Sequence, residues 1–169
     1  GNQYLCVKLE STLQTRSDLI VEDAYFFKNG DLARNKITSA NLNDEIIVIF
    51  VVKNIGGTLT IRDRNEFIKA RIIVKRDNVE FFRGERLFND IASQGNFRLE
   101  LPRIGQFAEP PLKLTQNGEY SIDIFIDSEN LVNNEFNEEN NKNNPNENKL
   151  RVGPIPQACT SNWQCSGWN

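Results

Sequence analysis

The residues best suited to chemistry lie in one acidic, asparagine-rich segment that follows an apolar run late in the chain. Its candidate ligand set spans fourteen residues and comprises Asp127, Glu129, Glu135, Asn137, Glu138 and Asn140. Ca²⁺ binds six to eight oxygens from carboxylates, amides and backbone carbonyls, which this set supplies. The spacing lacks the D-x-D-x-D-G core of an EF-hand, so the pattern predicts an ion that rigidifies a loop and takes no part in a reaction.

The same segment has a second interpretation that needs no cofactor. Asparagine and carboxylate side chains commonly cap their own turns by accepting hydrogen bonds from nearby backbone N–H groups. The composition between Asn130 and Asn148 favours this purely structural role. Both alternatives, a Ca²⁺ site and a self-capped loop without cofactor, stay open at this point.

Composition excludes several kinds of catalytic and metal site. The chain contains no histidine, so Ser-His-Asp and Cys-His arrangements and imidazole zinc sites cannot form. Its three cysteines cannot complete a Cys₄ site within one chain. Two carboxylates could in principle form a glycosidase pair, but among 23 acidic residues nearby pairs arise by chance. We therefore predict a non-enzyme, and the net charge of -3 predicts no nucleic-acid partner.

Period-2 hydrophobic patterns predict the elements that must position the loop. Alternating apolar residues from Tyr120 to Ile126 lead into it, and Ile46 to Val52 is a continuous apolar run typical of a central strand covered on both faces. Strands are predicted over 18–27, 46–52, 66–75, 79–82, 97–101, 120–126 and 150–152. Turn signals at this spacing predict an all-β, two-sheet antiparallel sandwich of about seven strands.

Two details of this pattern concern the second arm, the pair of strands predicted over 66–75 and 79–82. Asp77-Asn78 has the composition of a type I′ hairpin turn, and Gly84 is expected to end the arm that follows. The segment from Arg83 to Asp90 fits either a short strand or a helical turn. No apolar run reaches the ~18 residues of a membrane span, which predicts no membrane insertion by this segment.

Two groups of side chains are candidate binding surfaces. Strict alternation would turn one ring of each pair, Phe26-Phe27 and Phe81-Phe82, outward as a partner-binding patch, although packing against the core is the favoured alternative. A basic stripe comprises Lys69, Arg71, Lys75 and Arg76. It is typical of a solvated sheet face, and attraction to anionic surface glycans is the functional alternative.

Several short motifs resemble the cell-adhesion-related domain found in bacteria and archaea (CARDB). They are Asp18-Leu19, the N-x-G motif within Val52 to Gly56, the G-x-Y motif within Asn117 to Tyr120, Asp127, and the E-x-N-E-x-N-N motif from Glu135 to Asn141. The resemblance covers residues 17–153, with a longer, more charged segment at 58–66 and a loop lengthened at 142–148. It implies an immunoglobulin-like sandwich without enzymatic activity, on the surface of prokaryotic cells.

The resemblance also sets the expected domain organisation. Residues 1–17 are an N-terminal extension or edge strand, 18–153 the CARDB-like sandwich, and 154–169 a linker and the start of an incomplete Cys/Trp module. That last segment resembles the beginning of a thrombospondin type-1-like repeat through Cys159, Trp163, Cys165 and Trp168. Its cysteines would then pair beyond Asn169, in an oxidising environment.

The expected function is extracellular and non-catalytic. The leading interpretation is an adhesion, binding or spacer module whose partners are a protein or a surface glycan outside the cell. The alternative is a structural subunit of a surface filament or layer, in which residues 1–17 would add as a strand to a neighbouring copy.

Overall fold

The sequence folds into nine β-strands, and no helix occurs in the part of the chain that the structure covers. The structure, a computed structural model, describes residues 16–59, 67–102, 109–129, 131, 132, 135, 137 and 139–154. The strands are β1 (Leu19–Lys28), β2 (Ser39–Ala40), β3 (Glu45–Asn54), β4 (Ile68–Arg76), β5 (Val79–Phe88), β6 (Asn96–Leu101), β7 (Leu112–Lys113), β8 (Gly118–Phe125) and β9 (Lys149–Val152).

The strands form two sheets, as the hydrophobic pattern predicts. In the first sheet β3 lies between β1 and β6 and also pairs with the short β7. The second sheet has the order β2-β9-β8-β4-β5. Every strand pair is antiparallel except β2 with β9. The prediction of an all-β, immunoglobulin-like sandwich is confirmed.

The proposed extension and tail fall mostly outside this description. Only Arg16 and Ser17 of the extension, and Pro154 of the tail, are among the described residues. The filament alternative, which depends on residues 1–17, and the pairing of the cysteines therefore stay predictions. Within the described ranges, no helix is long and apolar enough to cross a membrane.

The β3 strand is buried on both of its faces, which confirms the interpretation of its unbroken apolar run. One face, with Phe50 fully buried at its centre, packs into the main core between the sheets. The opposite face contributes Ile47 and Ile49 to a second cluster with Phe27, and all three side chains are at most 2% exposed. Burial of β-branched and aromatic side chains on both faces fixes the register of β3.

The two phenylalanine pairs do not form the outward aromatic patch considered above. Phe26 lies in the main core and Phe27 in the second cluster, each about 1% exposed. Phe81 and Phe82 are both half-buried against the main core, because a register irregularity in the β4–β5 ladder, between Val74 and Lys75, interrupts strict alternation. The favoured alternative, packing, is the one the structure bears out.

The prediction that Gly84 ends the second arm is wrong. β5 continues through Gly84 to Phe88 and stays paired with β4 over that length. A β-carbon at position 84 would press on the side chain of Leu101, so glycine permits close approach of β5 to β6. Just beyond, the buried Arg86 closes this side of the sandwich by donating from Nε to the carbonyl of Glu100 at 2.7 Å.

Strand direction defines two ends of the sandwich. At the upper end, β1 begins beside the end of β3, where Leu19 pairs with Asn54. At the lower end, β7 pairs with the start of β3 at Ile46 and the chain then passes into β8, so β9 finishes at this end, where Val152 pairs with Gly118. The chain therefore enters at the upper end and leaves at the lower end, and ten-residue strands set these about 30–35 Å apart.

Tyr120 is a titratable side chain buried in the core. Its ring is fully buried and meets Phe81 edge-on at 5.1 Å between centroids, while its hydroxyl donates to the carbonyl of Gln116 at 2.8 Å. Burial raises the pKa of Tyr120 above its usual 10.0. The neutral phenol is thus favoured in the folded state. The stability that this provides is fully present below the pKa of the unfolded state and is lost as pH rises through the higher pKa of the folded state.

We expect the stability of Tyr120→Phe to fall less steeply than that of the wild type as the pH rises above about 10, because phenylalanine has no proton to lose. At pH 7 the variant is expected to be less stable by about 1 kcal/mol, the net value of one hydrogen bond. Urea unfolding followed by circular dichroism between pH 7 and 11 measures both effects. An equally steep fall in both proteins would contradict this explanation of Tyr120.

Candidate functional site: the acidic loop and the Asn54 corner

The acidic loop, residues 126–148 between β8 and β9, begins with a carboxylate that caps its first turn. Asp127 has a positive φ of 47° and is 5% exposed. Its two carboxylate oxygens accept backbone N–H groups of Leu131 and Val132, both at 2.8 Å. Asp127 thus caps the turn that follows β8 by accepting hydrogen bonds from the chain's own backbone.

The returning part of the loop covers the edge of β8. β9 pairs only with Gly118 to Ser121, which leaves the second half of this edge to the loop. There the side chain of Asn143 imitates a neighbouring strand: its Oδ1 accepts the N–H of Ile124 at 2.6 Å, and its Nδ2 donates to the carbonyl of Ile122 at 2.7 Å. The amide of Ile126 donates to the carbonyl of Asn141 at 2.8 Å and continues the ladder.

Two further asparagines tie the loop to buried carboxylates. Asn140 donates from Nδ2 to Asp18 at 2.8 Å, which connects the loop to the start of β1. Asn141 donates from Nδ2 to Glu135 at 2.5 Å, within the loop itself. Asp18 and Glu135 are 3% and 7% exposed, so these bonds are shielded from water.

Asn54, at the end of β3, organises the opposite side of the upper end, which we call the Asn54 corner (Asp18, Asn54 to Gly57, and Ile91). Its fully buried side chain makes four hydrogen bonds. Oδ1 accepts the N–H groups of Asp18 and Gly56 at 3.1 and 3.0 Å. Nδ2 donates to the carbonyls of Gly57 and Ile91 at 2.6 and 3.2 Å.

Gly56 explains the third position of the N-x-G motif. A β-carbon there would collide with the backbone carbonyl of Arg16 and the amide of Asp18. The same carbonyl accepts the N–H of Gly57 at 2.7 Å. The motif therefore serves close approach of two backbone segments, which only glycine allows.

The six predicted Ca²⁺ ligands have different partners. Asp127 caps its turn, Glu129 forms an ion pair with Lys69, and Asn137 accepts the N–H of Glu139 at 3.0 Å. Glu135 and Asn140 take part in the amide–carboxylate contacts described above. Glu138 lies outside the described residues.

In the described residues these side chains make the contacts expected of a self-capped loop. Asn140 Oδ1 is buried without a hydrogen-bond partner, a feature that an ion could satisfy. Against this, nowhere in the described part of the chain do three or more His, Cys, Asp or Glu side chains come together as a metal site would require. The self-capped loop and the Ca²⁺ site therefore both stay predictions.

We expect millimolar Ca²⁺ to leave the melting temperature of the protein unchanged after EDTA treatment. The reason is that the carboxylates of Asp127 and Glu129 are already held by backbone N–H groups and by Lys69. Calorimetry of the metal-free protein, with and without Ca²⁺, makes the comparison, and Mg²⁺ is the control. Binding heat together with a raised melting temperature would establish the ion site and contradict this expectation.

The basic stripe on β4 is electrically neutralised. Lys69 contacts Glu129 and Glu85, and the hydrogen bond that Lys69 donates to Glu129 raises the pKa of Lys69. The other three pairs are Arg71 with Glu85, Lys75 with Asp123, and Arg76 with Asp77. The stripe therefore carries matched charges, as expected of a solvated sheet face, and the attraction to an anionic glycan stays a prediction.

A small polar cavity of about 140 Å³ lies on the same face, between β4, β8 and the loop at Pro145. Its lysines, Lys75 and Lys149, are paired with Asp123 at 2.5 Å and with Glu119 at 2.6 Å. The charged groups of these four residues therefore already have partners within the protein.

Comparison with known proteins identifies the architecture. No model of a protein family matches the sequence, and no curated protein matches it. The crystal structure of the CARDB domain of a Pyrococcus furiosus protein, in complex with di-metal ions, superposes with a TM-score of 0.51 at 18% identity, over 90% of this chain and 100% of that one. The fold is that of a CARDB domain.

Two solution structures are also similar to this CARDB fold. That of the same Pyrococcus furiosus domain has a TM-score of 0.45 and 19% identity, over 81% of this chain and 95% of that one. A domain from Methanosarcina acetivorans, from a protein named for the cell surface, has a TM-score of 0.45 and 15% identity, over 86% of this chain and 99% of that one.

Three of the motifs that carried the CARDB resemblance meet at the upper end of the sandwich, whereas the G-x-Y motif lies at the lower end. Asp18 accepts from Asn140 of the E-x-N-E-x-N-N motif, and its own N–H donates to Asn54 of the N-x-G motif. Sequence analysis missed Asn143, whose bonds to β8 span 19 and 21 residues. Its only sequence signal is its position within the asparagine-rich segment, which does not distinguish it from its neighbours.

Proposed function

We propose that this domain is a non-catalytic module of an archaeal or bacterial cell-surface protein, and that it spaces or presents neighbouring domains outside the cell. The observation that carries the proposal is the course of the chain, which enters beside Leu19 at the upper end and leaves beside Val152 at the lower end. Modules linked through opposite ends extend an array by the full length of each sandwich. Cell-surface placement rests on the CARDB resemblance and fold.

The chemistry of the described residues supports a role without catalysis. The polar groups concentrated in the acidic loop and in the Asn54 corner bind backbone groups or each other. On the outer face of the second sheet, cations of β4 lie within ion-pair distance of carboxylates. A protein or glycan partner would therefore meet the turns at the two ends, where Leu32, for example, is 97% exposed.

Localisation and spacing are tested separately. An antibody raised against the purified domain is expected to label intact source cells, and brief protease treatment of those cells is expected to remove the signal. Labelling that appears only after lysis would overturn the surface assignment.

For spacing, two copies of residues 16–154 joined directly are compared with one copy by small-angle X-ray scattering. The tandem is expected to be longer by about 30–35 Å, the length of one sandwich. A folded side-by-side pair with no gain in length would overturn the spacer role. If the single copy is not folded by circular dichroism, the comparison is made with two whole chains.

A further inference from the structure

The two strands at which the chain enters and leaves run in the same direction on different sheets. β1 runs from the upper to the lower end in the first sheet, and β9 runs the same way in the second. Tension applied through the chain therefore pulls β1 upward and β9 downward along their own axes. Inter-strand hydrogen bonds lie across the strands, so this pull loads them in shear, many at once.

From this geometry we propose that the domain is built to bear tension, with β9 as its mechanical clamp. The proposal rests on the spacer function above and adds to it a resistance to force in one particular direction.

The entry strand is held over its whole length. β1 and β3 stay in register from Leu19 with Asn54 to Lys28 with Ile46, with one irregularity between Val21 and Asp23. β3 is itself fixed by burial on both faces. Sliding β1 out would break this ladder and expose Leu19, Phe26 and Phe27 together. The entry side is therefore the stronger of the two attachments.

The exit strand is short but held on both edges. β9 pairs with β8 from Gly118–Val152 to Ser121–Lys149 on one side and with β2 on the other. On the β2 side, Arg151 donates its N–H to Thr38 at 3.0 Å, and Gly153 donates to Ala40 at 3.4 Å. Its two inward side chains, Leu150 and Val152, are at most 3% exposed.

Hydrogen bonds of the acidic loop restrain β9 against sliding along its axis. Immediately before the strand, the buried Asn148 accepts from Lys36 at 2.8 Å. Further back, Asn143 is bonded to β8 and Asn140 to Asp18 near the entry point. A downward pull on β9 is thus resisted by the sheet on both sides and by a loop anchored at the upper end. This assigns a mechanical use to hydrogen bonds that no binding role explains.

The test compares two pulling directions on the same fold by optical tweezers. The whole chain is used with its native cysteines replaced by serine, and handles are attached through new cysteines at positions 16 and 154 or at positions 78 and 154. Asn78 and Pro154 both lie at the lower end, where Gly118 connects the β4–β5 turn with Val152, so that pull opens the sheet one bond at a time.

We expect the end-to-end pull to require a rupture force at least about twofold higher, since forced unfolding is governed by the unfolding rate along the loaded direction. It should release about 430 Å of chain in one step, at ~3.4 Å per residue. Equal forces in the two directions would overturn the proposal. That result leaves the spacer role intact, because cell labelling and scattering test the spacer role independently.

A matched pair of variants locates the clamp. Arg151→Pro removes both the side chain of Arg151 and the backbone N–H that donates to the carbonyl of Thr38. Arg151→Ala removes the same side chain and keeps this N–H. We expect the proline variant alone to lose about half of the end-to-end rupture force. Circular dichroism shows whether each variant is folded, and if the proline variant is not, Lys36→Ala, which removes the bond to Asn148, takes its place. An end-to-end force unchanged in the folded variant would contradict the assignment of β9.

Discussion

Asn54→Ala is expected to lower the free energy of unfolding by about 3–5 kcal/mol, because it strands four buried backbone groups at once. The lost partners are the N–H groups of Asp18 and Gly56 and the carbonyls of Gly57 and Ile91. Asn54 is fully buried, so water cannot replace its amide without rearrangement of the corner. A loss of this size is comparable with the whole stability of a marginal domain.

The matched control for this variant is Asn96→Ala, on the strand that pairs with the same end of β3. Asn96 is exposed and its register partner is Lys53, so its loss should change stability by less than about 0.5 kcal/mol. Urea denaturation followed by fluorescence measures both. If Asn54→Ala cost no more than the control, the corner would not be a structural hub, and the N-x-G motif would need another explanation.

Asn143→Ala is expected to destabilise the domain by about 1–3 kcal/mol, because Ile122 and Ile124 lose their hydrogen-bond partners on the open edge of β8. The effect should be local as well as global. Amide exchange at Ile124, whose N–H is bonded to Asn143 Oδ1, should accelerate more than exchange at residues of β4.

Asn146→Ala is the control within the same loop, since Asn146 is exposed in the turn that follows Asn144. Exchange measured by NMR on both variants separates a strand mimic from a general loosening of the loop. Unaltered protection of Ile124 in Asn143→Ala would show that the side chain does not extend the sheet.

The sequence allowed all seven principal strands to be predicted, with ends correct to two residues except that β5 continues six residues past its predicted end at Phe82. Alternation and β-branched runs report burial directly, so β3 and β8 were found from their own residues. The two-residue strands β2 and β7 left no comparable signal, because each exists only through the edge of a partner. Gly84 misled because glycine usually breaks a strand, whereas here it admits Leu101.

The candidate site was less predictable than the fold. Composition placed acidic and amide groups in one loop, but it does not specify which partner each side chain takes. Asn140 reaches Asp18 across 122 residues, and Lys69 binds Glu129 across 60. These choices depend on how the sheets pack, which is why a set of adjacent oxygens in sequence separated into turn caps, ion pairs and a strand mimic.

The most direct test of the spacer account is the distance between the two ends of the folded domain. Spin labels are attached at positions 16 and 154 in the whole chain with its native cysteines replaced. The distance between them is measured by pulsed electron–electron double resonance. We expect one narrow distribution of label-to-label distances near the sandwich length of about 30–35 Å. For a control pair at positions 78 and 154, two strands apart, we expect a distance of about 10 Å. Ends found close together at positions 16 and 154 would contradict the passage of the chain from one end to the other.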